Sequence, residues 1–210
     1  MNLTGNVLDS QVCSVQAILD LRAQNATTTR QQGIDFSASY AAPTTSLGDF
    51  MLSGTATYIL LSKQTPIQGL PEVDTLGLIN TVVSNSPVRW KGRAGVDWRK
   101  GVVSAGMNVN YIGSYYNNAP ITILGVRQSP STVPAWKTLD VHIGLDLDRQ
   151  NSVSALKGLR LSMILDNVTN KNPPIVLSTI GVGGFDSGAF DGNNADPYGR
   201  RLTVALTKAF

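Results

Sequence analysis

Residues 201–210 read Arg-Leu-Thr-Val-Ala-Leu-Thr-Lys-Ala-Phe, and this closing stretch indicates a fold class that the rest of the chain must repeat. Apolar side chains occupy alternate positions, with Lys208 as the one polar exception: Leu202, Val204, Leu206 and Phe210. A period of two indicates a strand with one apolar face. A final strand that ends on an aromatic is typical of a bacterial outer-membrane barrel, in which lipid contacts one face and the aromatic lies at the membrane interface.

Seven further segments alternate in the same way, so the closing strand is not isolated. They cover residues 17–25, 28–41, 47–61, 88–99, 102–116, 135–148 and 157–167. Most contain ten or more residues, which matches a tilted membrane-spanning strand, whereas strands of soluble proteins usually run about five or six. The pattern predicts an all-β fold: an antiparallel transmembrane β-barrel segment of about eight long strands.

The links between these segments alternate in length. The short ones are residues 42–46, 100–101 and 149–156, and the long ones are residues 62–87, 117–134 and 168–198. Outer-membrane barrels have short periplasmic turns and long external loops. With a periplasmic C-terminus, every long link falls outside; the short link near Ala26 and Thr27 is a mild exception. In the first long loop we expect a short helix near residues 74–79.

Composition excludes several classes of protein. No stretch approaches the roughly 20 apolar residues of a helical span, so a helical membrane protein is excluded. The net charge is only +3, and Trp90 and Trp98 alternate with the basic residues around them, so we expect no nucleic-acid partner. Cys13 is the single cysteine, which rules out an internal disulfide and a cysteine metal cluster.

Three stretches resemble elements of TonB-dependent outer-membrane receptors. Residues 166–174 (DNVTNKNPP) resemble the Asn-Leu-Phe-Asp-Lys-x-Pro-Pro element near the end of these receptors. Residues 196–201 (DPYGRR), which run into the final phenylalanine, resemble their closing Tyr-Asp-Pro-x-Gly-Arg strand. Residues 32–40 (QGIDFSASY) resemble the Gly-(Val/Ile)-(Asp/Glu) strand that lies well before them. Lys208 departs from the apolar residue common at that position, and a lysine there can snorkel to the interface.

The resemblance implies that the chain is one part of a larger receptor. The family barrel has about 22 strands around a plug domain, so the resemblance implies that residues 1–210 are the C-terminal portion of a receptor barrel, without the plug. Residues 1–10 also lack the features of a signal peptide. The implied function is TonB-energised uptake of a scarce substrate (a siderophore, cobalamin or a glycan) across the bacterial outer membrane, with no enzymatic role.

The implied partners are outer-membrane lipid, the barrel-assembly machinery through the C-terminal strand, and the plug domain and TonB in a full-length receptor. Two other interpretations stay open at this stage. The chain can close on itself as an eight-stranded membrane barrel that acts as an anchor or narrow pore. It can also be a soluble all-β binding module, since alternation alone suits a sheet with one wet face.

Candidate functional residues fall into three groups, and we expect no catalytic residue, cofactor or metal among them. The candidates for the barrel lumen and substrate contact are Arg89, Lys91, Arg93, Asp97, Asp140 and His142. The external-loop candidates are Asp186, Asp191 and Asp196, and the membrane-interface aromatics are Trp90, Trp98, Tyr111, Trp136 and Phe210.

Each polar group also has a plainer interpretation. His142 is either a hydrogen-bonded lumen residue or part of a weak metal site with Asp140 and Asp146. The acidic last loop is either solvated or holds calcium. The basic stripe around Arg93 either contacts the plug and guides an anionic solute, or is balanced by acidic residues elsewhere in the barrel: Asp140, Asp146, Asp148 and Asp166.

Overall fold

A computed structural model describes residues 28–66, 69–79, 87–118, 122–123, 126–127, 131–147, 157–176 and 190–209. The segment predicted at residues 17–25 lies outside this part of the chain. The described residues form β1 (Thr28–Ala41), β2 (Asp49–Thr65), β3 (Val73–Asp74), β4 (Leu78–Ile79), β5 (Trp90–Lys100), β6 (Val103–Ile112), β7 (Tyr115–Asn117), β8 (Thr122–Ile123), β9 (Val126–Arg127), β10 (Ser131–Val133), β11 (Trp136–Asp146), β12 (Leu159–Asp166) and β13 (Arg201–Lys208). No helix in the described ranges is long and apolar enough to cross a membrane.

The long strands form one antiparallel sheet in the order β1-β2-β5-β6-β11-β12-β13, and β3 adds a short pairing to β2. The predicted all-β antiparallel architecture is therefore confirmed. Among the described strands, β1 and β13 lie at the two edges and do not pair with each other. The described sheet is consequently open, with one long strand and one short strand at its borders.

The register of the sheet separates its side chains into an apolar and a polar face, because directly opposed residues of antiparallel strands share a face. One continuous row crosses all seven long strands: Tyr40, Leu52, Val96, Met107, Val141, Leu165 and Leu202. The neighbouring row is Ser39, Ser53, Gly95, Asn108 and Asp140. Leu202 is 59% and Leu206 68% exposed. A wide, unburied apolar face of this kind suits contact with lipid.

Two short hairpin turns at one end of the sheet confirm the predicted short links. Residues 42–48 join β1 to β2, where Gly48 has a φ of 112° and Thr45 and Gly48 exchange backbone hydrogen bonds of 3.2 and 3.0 Å. Residues 101–102 join β5 to β6, and Gly101 has a φ of 59°. Both φ values lie where a side chain is strained, so glycine permits these turns. Most of the third short link lies outside the described residues.

The described parts of the three long loops pack together at the opposite end. A small sheet has the order β10-β7-β4. A core cluster holds Val88 from the end of the first long loop, Tyr115 and Val133 from the connection between β6 and β11, and Val176 from the last loop. The predicted single strand over residues 102–116 is wrong at its end. The strand β6 ends at Ile112, and the Gly113 amide donates a 2.8 Å bond to the Trp90 carbonyl. The chain then continues into β7, whose Tyr115 is buried in this core.

The helix expected near residues 74–79 is also wrong. This stretch forms the ends of β3 and β4 around a turn with Gly77 at a φ of 66°. Thr75 is 2% exposed, and its hydroxyl lies 2.8 Å from the hydroxyl of Ser62, which is equally buried. The buried hydrogen bond between Thr75 and Ser62 of β2 stabilises this turn, and the stretch does not form a helix.

Candidate functional site

The centre of the polar face holds a histidine–carboxylate pair that spans three strands. Asp97 on β5, Gly106 on β6 and His142 on β11 are in direct register. His142 Nε2 lies 3.0 Å from Asp97 Oδ1. A Cβ atom at Gly106 would come within 2.5 Å of His142 Cε1 and 2.6 Å of Asp97 Oδ1. The glycine therefore leaves the space in which two of the predicted lumen residues meet.

A third predicted lumen residue, Asp140, belongs to a separate hydrogen-bond network. Its Oδ2 accepts a 2.7 Å bond from Asn110 Nδ2, which also lies 3.1 Å from the Thr138 hydroxyl, and its Oδ1 accepts a 3.0 Å bond from the backbone amide of Asn167. Both carboxylate oxygens are therefore occupied. In the part of the chain that the structure describes, no group of three or more His, Cys, Asp or Glu side chains is placed to hold a metal ion.

The basic residues Lys91 and Arg93 lie on the same polar face, and neither has an ion-pair partner among the described residues. Arg93 lines three open hollows, of about 680, about 440 and about 340 Å³. Lys91 and Asp35 also line the 440 Å³ hollow, whereas His142 and Asp140 line the 340 Å³ hollow. An arginine with free donors presents a fork that matches carboxylate and phosphate groups.

Two of the four acidic residues expected to balance this stripe contact other cations. Asp166 receives 3.1 and 3.0 Å bonds from the Arg201 guanidinium. Asp146 lies 3.5 Å from Arg160 Nε. Asp140 is held by amides, as described above, and Asp148 lies outside the described residues. Among the described residues, none of these carboxylates therefore lies at ion-pair distance from Lys91 or Arg93.

Arg89 does not follow the lumen stripe. Its guanidinium carbon lies 5.9 Å from the centroid of the Tyr58 ring, and that ring is 4.5 Å from the ring of Trp90. Tyr58 and Trp90 are paired in register on the apolar face. Arg89 therefore lies against the aromatic residues at the loop end of that face.

The aromatic residues of the apolar face lie near its two ends. Trp90 and Trp98 are eight residues apart on β5, which corresponds to roughly 26 Å along a strand, close to the ~25 Å height of the apolar band of a membrane barrel. Trp98 Nε1 donates a 2.8 Å bond to the Leu47 carbonyl in a short turn. Tyr111 pairs with Gly92 near the loop end.

Trp136 differs from these aromatics. Its register partner is Ile112, which places it on the face of Thr138 and Asp140. Phe210 lies outside the described residues. The apolar alternation of residues 47–61 predicts that Phe50 and Tyr58 share the lipid-facing side, although the predicted interface aromatics did not include them. In the structure Phe50 pairs with Trp98 and Tyr58 with Trp90.

The two C-terminal stretches that carried the resemblance lie against each other in the structure. Asp166 and Arg201 are register partners, and Arg201 also lies 3.9 Å from Asp196. Asn167, with a φ of 49°, accepts a 2.8 Å bond from the Lys171 amide and donates a 2.9 Å bond to its carbonyl. Side-chain bonds therefore hold residues 166–171 and residues 196–201 in place.

The acidic residues of the last loop have structural partners. Asp191 accepts bonds of 3.0 Å from the Asn193 amide and 2.6 Å from the Asn194 side chain, and it is hydrogen-bonded to Tyr115. Burial raises the pKa of Tyr115, and the Asp191 carboxylate adds to that rise. Asp191 thus joins two external loops. Asp196 Oδ1 accepts a bond from the Tyr198 amide, and Asp186 lies outside the described residues.

Together these features define the wall of a membrane β-barrel: an apolar face bounded by aromatics, a hydrogen-bonded polar face, short turns at one end and packed loops at the other. The family model described as "TonB dependent receptor-like, beta-barrel" matches residues 2–168. The match covers most of the sequence, and the chain therefore belongs to this family. No curated protein matches the chain. The members of the family are outer-membrane receptors and transporters rather than enzymes.

Proposed function

We propose that residues 1–210 form the C-terminal part of the barrel of a receptor that takes up a scarce solute with energy supplied through TonB. The observation that carries the proposal is the polar face, on which Lys91 and Arg93 lie without an ion-pair partner among the described residues. A charged residue within a membrane-spanning strand is costly unless it faces a polar interior. The polar face is thus assigned to the lumen.

Lys91 and Arg93, which have no ion-pair partner among the described residues, suit a partner with carboxylate or phosphate groups. In a complete receptor the plug domain fills the lumen, and acidic residues on its surface would be complementary to Arg93 and Lys91. An anionic solute, such as an iron-siderophore with free carboxylates, would be attracted by the same cations. Asp97 and His142, 3.0 Å apart, serve as a hydrogen-bonding element of the wall.

The external loop core supports a receptor role for the other end of the sheet. Tyr115 and Asp191 join two of the long loops through a hydrogen bond, and Val88 and Val176 are buried with Tyr115. Loops that are held in one arrangement present a defined surface to a solute. We assign the first contact with substrate to this surface, and we assign recognition by the barrel-assembly machinery to β13.

Cysteine labelling of neighbouring positions tests the assignment of the two faces. Cys13 is first replaced by serine, since it is the single native cysteine. Arg93→Cys and Ala94→Cys then place a thiol on opposite faces of β5. In the refolded chain in lipid bilayers, a membrane-impermeant maleimide should label the first variant and leave the second unlabelled. Labelling of position 94 alone would refute the assignment.

Uptake assays test the energy coupling. Cells that express the chain together with a plug-bearing remainder of the receptor should accumulate one of three labelled solutes (a siderophore complex, cobalamin or a glycan) only when TonB is present. Cells that express residues 1–210 alone should accumulate none. Substrate-dependent and TonB-dependent uptake by the chain alone would contradict the proposal.

A further inference from the structure

The carboxylate of Asp140 reaches from the polar face to the place where β12 leaves the sheet. Its Oδ1 accepts a 3.0 Å bond from the Asn167 backbone amide, and its Oδ2 accepts a 2.7 Å bond from Asn110 Nδ2. The register of β11 and β12 would place Asn167 opposite Leu139, but the Leu139 carbonyl accepts a 2.7 Å bond from the Val168 amide instead. The Asp140 side chain therefore accepts the bond of an amide that the strand pairing leaves without a carbonyl.

Asn167 immediately precedes the last long loop and fixes its first turn. It is 6% exposed, has a φ of 49°, and is bonded to both the amide and the carbonyl of Lys171 at 2.8 and 2.9 Å. Within the same turn, Asn170 accepts a 2.9 Å bond from the Arg200 amide. A left-handed backbone is strained at a residue other than glycine, so the bond from Asn167 to Asp140 helps to hold this turn in place.

Arg93 faces the same carboxylate from the other side of a hollow of about 340 Å³, which both side chains line. Its register partner Asn110 is the side chain that bonds to Asp140. The other acidic residue of this hollow, Asp166, is paired with Arg201, whereas the partners of Asp140 are both uncharged amides. A guanidinium offers a carboxylate two parallel bonds, which one backbone amide does not. Arg93 is therefore a competitor of Asn167 for Asp140.

We propose that Arg93 and Asp140 form a switch that sets the first turn of the last external loop according to the occupancy of the lumen. When a carboxylate or phosphate in the lumen binds Arg93, Asp140 stays on the Asn167 amide and the turn is held. When no anion binds Arg93, it also forms an ion pair with Asp140, which takes the carboxylate from Asn167 and loosens the turn. An anion that binds only the free guanidinium shifts this equilibrium, and a held turn strengthens anion binding in return. The switch rests on the proposed lumen assignment of the polar face and adds a route from the lumen to the external surface.

Hydrogen exchange of the Asn167 amide, followed by NMR in the full chain refolded in detergent micelles, tests the switch with inorganic phosphate as the anion. Phosphate should slow the exchange, whereas sodium chloride at equal ionic strength should leave it unchanged. Asp140→Ala should speed the exchange about ten-fold or more, because a hydrogen bond to a charged group contributes at least that factor. Phosphate should then have no effect.

Arg93→Gln removes the competitor, so exchange should be slow without phosphate and should not respond to it. Lys91→Gln is the matched control, since Lys91 is the other cation of the polar face without an ion-pair partner among the described residues and does not line the 340 Å³ hollow. Its response to phosphate should equal that of the native chain. A native chain that does not respond, faster exchange in Arg93→Gln, or loss of the response in Lys91→Gln would overturn the switch. None of these outcomes depends on which face contacts lipid, which maleimide labelling at position 94 tests separately.

Discussion

Replacement of Gly48 by alanine should destabilise the fold far more than replacement of Gly101, although both glycines lie in short turns at the same end of the sheet. Gly48 has a φ of 112°, and an added Cβ would lie 2.4 Å from the Arg99 carbonyl oxygen and 2.9 Å from Trp98 Nε1. Gly101 has a φ of 59°, and nothing lies within 4 Å of an added Cβ. The Gly101→Ala variant therefore tests backbone strain alone, and the Gly48→Ala variant adds a steric conflict.

The magnitude follows from two contributions. A backbone conformation that only glycine adopts readily costs about 1–3 kcal/mol for alanine. The methyl group of Gly48→Ala also displaces the Trp98 indole, whose 2.8 Å bond to Leu47 contributes about 1 kcal/mol. We expect a loss of about 2–4 kcal/mol for Gly48→Ala and about 1–2 kcal/mol for Gly101→Ala, in which left-handed strain acts alone.

Urea unfolding of the full chain in detergent micelles measures both losses, with tryptophan fluorescence as the readout. Trp98 adjoins the Gly48 turn, so its emission should also change in the folded Gly48→Ala variant and remain unchanged in Gly101→Ala. An equal loss of stability in the two variants would refute the reasoning, because it would show that the close approach to Arg99 and Trp98 is not important.

Three further predictions concern the polar face, the loop core and the C-terminal motif. Gly106→Ala should separate Asp97 from His142 and speed diethylpyrocarbonate modification of the single histidine; an unchanged rate would argue against the glycine's role. Because the pKa of Tyr115 is raised in the folded chain, the folded chain keeps a proton that the unfolded chain loses above about pH 10. The free energy of unfolding should therefore fall as the pH rises above that value. Tyr115→Phe should remove the share of this fall, measured as the urea midpoint, that comes from Tyr115. Asn167→Ala should cost about 2–3 kcal/mol through two lost hydrogen bonds and left-handed strain, and an Asn167→Gly variant that is equally unstable would show that backbone strain contributes nothing.

Sequence alone predicted much of the sheet because the period of two is a local property. Residues 28–41 were predicted as a strand, and β1 has those bounds. The pattern failed at residues 102–116, where alternation continued past Ile112 but Tyr115 is buried in the loop core instead of extending the sheet. Alternation records which side chains avoid water, and it does not distinguish lipid from a protein core as the place where they do so.

The candidate site was predicted only in part for a related reason. Lys91, Arg93, Asp97 and His142 share the polar face, as their alternation indicated. The alternation did not reveal that Arg89 lies against Tyr58, because the strand begins one residue later. It also did not indicate how the acidic residues pair, since those contacts depend on the register between neighbouring strands.

The sequence by itself determined the all-β class, the two faces of each strand, the alternation of short and long links, and the resemblance to TonB-dependent receptors. Each of these depends on residue spacing along one strand or on a short motif. Only the tertiary structure decided that Gly106 makes room for the Asp97–His142 pair and that Tyr115 bonds to Asp191. These contacts depend on strand register and loop packing, which are set by the whole sheet rather than by any one segment.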